Sequence, residues 1–239
     1  MIRTLDDFVD EFRKIKNMGW IPTHRAGPTG IGKTLEDLLG IVENNADKPD
    51  FGEYELKSMR TNATSMLTIF TKTPEPPRAN GVLLQKYGYR STEVYGNDSK
   101  VLHATLSADR FTSVRGTNQL KISCEKDGIY FESQEGLENI YYRRETLQRC
   151  FNRKYRGIFV YAYADSKGRG RTEAFHFVKA YAVSGFSYDE FAELLEKGVI
   201  KIDIRIGQYP DGRIHDHGTG FRIRECDQVL LFRTRTQIV

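Results

Sequence analysis

The chain has 239 residues, of which 39% are hydrophobic, 12% aromatic and 28% charged. These proportions suit one large α/β domain or two modest lobes, and exclude a disordered chain, a coiled coil or a very small scaffold. Thirty-six Lys and Arg against 32 Asp and Glu leave a net charge of +4, compatible with a polyanionic partner but too common to identify one. No run approaches the roughly 20 apolar residues of a membrane span. The opening MIRTLDDFVDEF carries acids where a signal peptide would carry a cationic and then an apolar run. A cytoplasmic protein without a membrane partner is expected. Cys124, Cys150 and Cys226 stand far apart without a CxxC pair, which points to reduced packing residues rather than a disulfide framework or a thiolate zinc site.

In chain order, Phe8, Val9, Phe12 and Ile15 follow the helical period, with Thr4 as N-cap and Gly19 as stop. Leu35, Leu38, Leu39 and Val42 make one face of a second helix expected after Lys33. Around Glu53 the period becomes two: Tyr54 and Leu56 point one way, Glu55 and Lys57 the other, as in a half-buried strand. SMLTIFT (65–71) is expected to be its antiparallel neighbour. Residues 73–118 begin with a cluster of prolines and show no clean period beyond a short helix near Val82 to Tyr87, so they read as loop-rich. KISCEKDGIYFES (121–133) reads as a hairpin turning at Asp127 and Gly128, followed by a polar helix near Glu145 to Arg153. IFVYAYA (158–164) is the most continuously apolar run and predicts a central strand, with AFHFVKAYAV (174–183) beside it. Ser187 and Glu190 form a capping box ahead of Phe191, Leu194 and Leu195, and Gly198 closes that helix. In VIKIDIRI (199–206) the isoleucines share one face while Lys201, Asp203 and Arg205 share the other, so one side is core and the other meets something polar. No internal repeat or low-complexity tract is present.

Three motifs bear on chemistry. GPTGIGKT (27–34) satisfies G-x-x-x-x-G-K-[ST], a match expected by chance in about one chain per hundred. IFVYAYAD (158–165) ends in an acid, as a Walker B strand would. Yet a phosphate-cradling loop springs from a buried parallel strand, and the preceding GWIPTHRA carries Pro, His and Arg instead. A Gly-rich turn capping a helix is the competing reading.

The second motif is PDFGEYELK (49–57). Period two puts Glu55 and Lys57 on one strand face, and Asp50, in a turn just upstream, can bend its carboxylate toward Glu55. Two converging carboxylates repel unless a divalent cation separates them, and magnesium (Mg²⁺) prefers such oxygen ligands. Lys57 could then orient a water or stabilise transition-state charge. Glu-x-Lys alone occurs about once per chain by chance, so a solvated face with an ion pair remains the alternative. The preceding Pro-Asp, the strand period and a further acid, Glu36, on the helix after the Gly-rich turn raise the metal reading.

The third is KIDIRIGQYPDGRIHDHGTGFRIR (201–224), which gathers Asp203, Arg205, Arg213, His215, Asp216, His217, Thr219, Arg222 and Arg224 around a Gly-rich loop between two strands. Arg can fork to guanine O6 and N7, Asp can accept from cytosine N4, and His can serve either edge. A zinc site on His215 and His217 lacks apparent further ligands, and a charged hairpin exposed to water is the other alternative.

Taken together and in this order, GPTGIGKTLEDLL, PDFGEYELKS, LTIFTKTP and IDIRIGQYP…HDHGTGFRI resemble the MvaI/BcnI family of type II restriction endonucleases, relatives of the mismatch-repair nicking enzyme MutH. The resemblance leans to the MvaI branch and spans nearly the whole chain, though residues 88–160 carry it only faintly. It implies a mixed α/β fold of the restriction-endonuclease-like type, with two lobes around a DNA cleft: a catalytic lobe over about 1–160 and a recognition lobe over 161–239. It further implies a monomeric, Mg²⁺-dependent enzyme that nicks one strand at a time. Asp50 and Glu55 would be metal ligands, Lys57 the catalytic lysine and Glu36 an acid supporting the metal site. Major-groove readout would fall on Asp203, Arg205, His215, His217 and Arg222. Members cut within CCWGG or CCSGG. Thr71, where the BcnI branch has a histidine, and the HDHGT loop favour CCWGG. Lys72, Arg78 and Arg110 are candidates for phosphate contacts. A methyltransferase of the same system, without a stable complex, would protect host DNA. The rival functions are a P-loop NTPase using Lys33 and Thr34 and a DNA-binding module without catalysis.

Overall fold

The computed structural model describes residues 2–41, 49–92, 99–114, 116, 118–155 and 157–239. In chain order its elements are α1 (Leu5–Asn17), β1 (Ile21–Pro22), α2 (Gly30–Leu39), β2 (Tyr54–Arg60), β3 (Met66–Thr71), α3 (Ala79–Tyr87), β4 (Tyr89–Ser91), β5 (Ser99–Leu106), β6 (Thr112–Val114) and β7 (Asn118–Glu125). There follow β8 (Gly128–Ser133), β9 (Gly136–Arg143), α4 (Arg144–Lys154), β10 (Ile158–Lys167), β11 (Ala174–Phe186), α5 (Tyr188–Glu196), β12 (Ile200–Gln208), β13 (Ile214–Asp216), β14 (Gly220–Arg224) and β15 (Phe232–Gln237). The chain forms two compact units, Met1–Ser65 with Tyr155–Ser187 and Glu225–Val239, and Met66–Lys154 with Tyr188–Arg224. Both are discontinuous. The single, approximate boundary expected near residue 160 falls inside β10, whose residues on either side of it share one sheet.

In the first unit the sheet runs β1-β11-β10-β2, with β15 also on β11. The apolar run 158–164 is central, as expected, pairing parallel with β2 and antiparallel with β11. Its alternation explains the layering. Val160, Ala162 and Ala164 face a core that also takes Phe8, Phe12 and Ile15 from α1, Ile31, Leu35 and Leu39 from α2, and Leu56, Phe175 and Phe177 from the sheet. The two alanines leave room for the helices, and each large side chain buried there contributes about 1.5–3 kcal/mol. Helix α1 starts as predicted: Thr4 Oγ1 accepts from the Asp7 amide at 3.1 Å, and Asp7 Oδ2 accepts from the Thr4 amide at 3.0 Å. Helix α2 begins at Gly30 rather than after Lys33, so Gly30 and Gly32 of the motif lie in its first turn. Val42, expected on its apolar face, lies outside the described residues.

The second unit holds a sheet of order β3-β14-β12-β5-β4, with β13 on β12, and a separate meander β6-β7-β8-β9. The 121–133 hairpin forms as expected. Ile200, Ile202, Ile204 and Ile206 of β12 are all 0% exposed. Their face joins Phe70, Phe151, Phe191 and Phe221, whose rings meet at centroid distances of 4.7–5.2 Å along the pairs Phe151–Phe191, Phe70–Phe151, Phe70–Phe221 and Phe191–Phe221. This cluster corrects one expectation. SMLTIFT forms β3, but it pairs antiparallel with β14, Phe70 opposite Phe221, and not with β2, because the phenylalanine cluster is where its apolar residues find partners. Residues 73–118 are also less loop-rich than their local pattern: they contain α3, β4, β5 and β6. In β5 both Val101 and Leu102 are buried, which erases the alternation, and its pairing with the distant β12 supplies the order that propensity lacks.

Candidate functional site

The first cluster is built on β2. Phe51 and Tyr54 form an isolated bridge, Tyr54 N donating to Phe51 O at 2.8 Å, with Gly52 at φ 52° between them. This tight turn returns the chain so that Asp50 Oδ2 accepts from the Leu56 amide at 2.7 Å. Leu56 faces the core, so Glu55 and Lys57 lie on the opposite face, where Lys57 Nζ donates to Glu55 Oε1 at 2.5 Å. Burial raises the Asp50 pKa above the usual aspartate range and the Glu55 charge adds to the rise, while the Leu56 amide and Lys57 pull it back. The turn and the strand thus bring Asp50 within electrostatic reach of the Glu55–Lys57 pair.

The Lys57 ammonium pairs with Glu55 and also pulls the Asp50 pKa down, but burial and the Glu55 charge outweigh it at Asp50. A hard oxygen donor set short of positive charge fits Mg²⁺, which takes one or two carboxylates and keeps several waters. Glu36 stands half-buried on α2, the helix packed on β2. Its carboxylate folds back over its own first turn, Oε1 lying 3.8 Å from where a Cβ on Gly32 would sit.

The Gly-rich motif next to it is no nucleotide cradle. The strand before it, β1, has two residues and runs antiparallel to β11, so the loop does not leave a parallel strand. Thr34, whose hydroxyl would have to reach a metal, is 0% exposed. Its Oγ1 donates to Gly30 O at 2.7 Å and accepts from the His24 amide at 3.0 Å. Lys33 Nζ pairs with Asp37 at 2.7 Å, and His24 Nδ1 meets the same carboxylate at 2.9 Å. Gly30 is required for contact: a Cβ there would lie 2.2 Å from Arg25 O. The motif is a tight helix start.

The second cluster lies on the polar face of β12. Asp203 is 2% exposed. Its Oδ1 accepts from Thr105 Oγ1 at 2.9 Å, and its Oδ2 accepts from Arg205 Nε at 3.0 Å. Arg222 Nε stands 2.9 Å from the same oxygen, with its N–H turned off the hydrogen-bond line. One buried carboxylate therefore anchors two guanidinium groups by their inner nitrogens. The outer Nη atoms, two on each arginine, hydrogen-bond to nothing among the described residues. Asp203 was expected to accept from a base directly; the structure turns it inward, where it holds the arginines instead.

Around this pair the HDHGT loop is tied down. Asp216 Oδ1 accepts from the Gly218 and Thr219 amides at 2.9 and 2.6 Å, and Oδ2 accepts from Asn80 Nδ2 at 3.0 Å. Thr219 Oγ1 accepts from the Arg205 amide at 3.0 Å, and His217 N donates to Arg205 O at 2.7 Å. His215 and His217 stand with Nε2 atoms 2.9 Å apart, one ring edge-on to the other. Burial, and then His217, lower the His215 pKa. Thr71 pairs with Gly220 at the end of β3, and the Lys72 amide donates to Thr219 O at 3.2 Å, so both predicted residues adjoin the loop. Sequence reasoning missed Thr105 and His103 of β5, which stand opposite Asp203 and Arg205. Only the every-second-residue spacing of 103 and 105 could have put them on one face.

A profile of the MvaI/BcnI restriction endonuclease family matches residues 9–232. The fold is similar to the solved structure of restriction endonuclease MvaI in the absence of DNA, with TM-score 0.69 and 32% identity over 100% of this chain and 99% of that one. It is also similar to the MvaI complex with its cognate DNA substrate, with TM-score 0.65 and 32% identity over 100% of both chains. No curated protein sequence matches. A family match over most of the length, together with full-length likeness to a solved restriction enzyme, settles the class: the chain belongs to the MvaI/BcnI restriction endonuclease family.

Proposed function

We propose that this chain is a Mg²⁺-dependent type II endonuclease that cuts duplex DNA at a pseudosymmetric five-base site of CCNGG type, with CCWGG favoured, acting as a monomer that nicks one strand at a time. The observation that carries the reading is the meeting of Asp50, Glu55 and Lys57 on β2 in a chain of a restriction endonuclease family. Asp50 and Glu55 would hold the metal, with Glu36 as the supporting acid. The ion, when bound, supplies positive charge against the phosphodiester and acidifies a water. Asp50 is held through Oδ2 by the Leu56 amide at the mouth of the strand, which fixes the direction of its other carboxylate oxygen. Lys57 keeps an ammonium next to the same carboxylates, where it can hold a water or offset charge on the phosphate. Cleavage is assigned to the first unit and base reading to the second.

In the second unit, Arg205 and Arg222 present open forks of the kind that bind guanine O6 and N7, and a CCNGG site offers guanines to both. His215 and His217 present ring nitrogens beside them, with Thr71 next to the loop as the residue favouring an A·T centre. Lys72, Arg78 and Arg110 would take phosphates. MvaI bound to its cognate DNA supports duplex DNA as the partner of this related chain. Restriction in the cytoplasm calls for protection of host DNA by a cognate methyltransferase acting separately. The test is digestion of a sequenced plasmid with Mg²⁺ and mapping of the ends. Asp50→Ala and Lys57→Ala should abolish cutting with binding largely kept; cutting that survives both changes refutes the assignment.

A further inference from the structure

His103 plays no part in the assignments above, yet it stands in cross-strand register with Arg205, a placement that brings the two Cβ atoms within about 4.5–5.5 Å on one face. The adjacent pair, Thr105 and Asp203, shows that side chains of β5 reach their partners on β12: it is joined at 2.9 Å. His103 Nε2 is shut off from solvent and has no hydrogen-bond partner among the described residues, an arrangement that normally has a reason. Burial lowers the His103 pKa, and Arg205 and His217 lower it further, which favours the neutral ring, one nitrogen of which keeps a lone pair. Across the register, Arg205 uses its Nε on Asp203 and its amide on Thr219, leaving its fork unpartnered among the described residues.

We propose that His103 is a positioning residue for Arg205: a ring nitrogen of His103 accepts an N–H of the guanidinium when Arg205 turns to a base, fixing the plane of the fork and with it the discrimination that Arg205 achieves. The proposal rests on the reading of this face as the base-reading surface. Asp203 and His103 would then hold the guanidinium at two points, Nε and one Nη, with the remaining edge left for O6 and N7.

The test is binding, with Ca²⁺ in place of Mg²⁺, to a duplex containing CCAGG and to duplexes with each base pair changed singly. His103→Leu should lower discrimination about tenfold at the base pair read by Arg205 and leave the others unchanged, a tenfold step being the low end of what one arginine–guanine pair supplies. His103→Asn, which keeps a carbonyl acceptor, should restore most of it. In an Arg205→Ala background, His103→Leu should have no further effect. His103→Phe, which keeps a ring, serves as the second apolar variant should the leucine disturb folding. If Arg205→Ala loses discrimination while both apolar variants keep it, the positioning role is overturned and the base-reading surface stands. If His103→Leu acts equally with and without Arg205, the positioning role is again overturned. If Arg205→Ala keeps full discrimination, both readings are overturned.

Discussion

Replacing Asp203 with asparagine removes the one negative charge that holds two arginines. The carboxylate is 3% exposed, while the side chains of Arg205 and Arg222 are 39% and 29% exposed. A charged hydrogen bond contributes about 1.5–3 kcal/mol. The Arg205 contact is aligned and the Arg222 contact is not, and both guanidinium ends reach water, which screens them. The asparagine still accepts from Thr105. A net loss of about 2 kcal/mol follows, which for a chain of this size lowers Tm by roughly 4–8 °C. The effect on recognition should be larger than this implies, because each arginine–guanine pair discriminates by about 1–3 kcal/mol and one change loosens both forks. Equilibrium binding to CCAGG duplexes with single base-pair changes, alongside thermal denaturation, measures the two effects. Asp203→Asn should lose discrimination at two base pairs, whereas Arg205→Ala and Arg222→Ala lose it at one each. An unchanged Tm together with an unchanged discrimination profile would refute the claim that Asp203 holds the arginines.

Three further outcomes follow from the geometry. Burial and Glu55 raise the Asp50 pKa, so the folded protein binds this proton more tightly than the unfolded chain, and without metal the contribution favours folding below the unfolded value of about 3.9 and is lost as pH rises through the folded pKa. Asp50→Asn should therefore be more stable than the parent at pH 7 without metal, with the gap closing as pH falls toward 4; denaturant titrations across that range check it, and a gap that widens contradicts the sign. Lys33→Ala should leave DNA cleavage within about threefold, since Lys33 pairs with Asp37 on the helix surface, while Thr34→Val should cost about 1–3 kcal/mol because the His24 amide loses its acceptor; nucleotide hydrolysis that depends on Lys33 would contradict this account of the motif. Arg60 binds Glu173 through Nε at 2.8 Å and Nη2 at 3.1 Å, both largely buried, so Arg60→Ala should cost about 3 kcal/mol by leaving Glu173 unpaired; a loss under about 1 kcal/mol in urea unfolding would show the pair to be dispensable.

Much of this was legible from the residues alone, where short-range physics decides. A side-chain oxygen at Thr4 with an acid three residues on dictates a helix start. Strict alternation in VIKIDIRI dictates one apolar and one polar face. The run from Asp50 through Glu55 to Lys57 needs only a turn and a strand to bring its three groups together, and its spacing is set by period two. Four motifs in a fixed order were likewise enough to indicate the family.

What needed the tertiary structure was every question of partner. Whether β3 lies beside β2 or β14 is decided by which sheet offers aromatic rings to Phe70, a fact about residues some 80 to 150 positions away. The order of β5 comes from its pairing with β12, which overrides a local pattern that has no period. The GPTGIGKT sequence is compatible with a phosphate loop until the fold places a two-residue antiparallel strand before it and buries Thr34. Asp203 has the chemistry to meet a base, and only its enclosure by Thr105, Arg205 and Arg222 makes it an anchor. Sequence fixes what each group can donate or accept within a few residues of itself; burial and long-range pairing decide which of those capacities is already spent inside the protein and which is left to meet DNA.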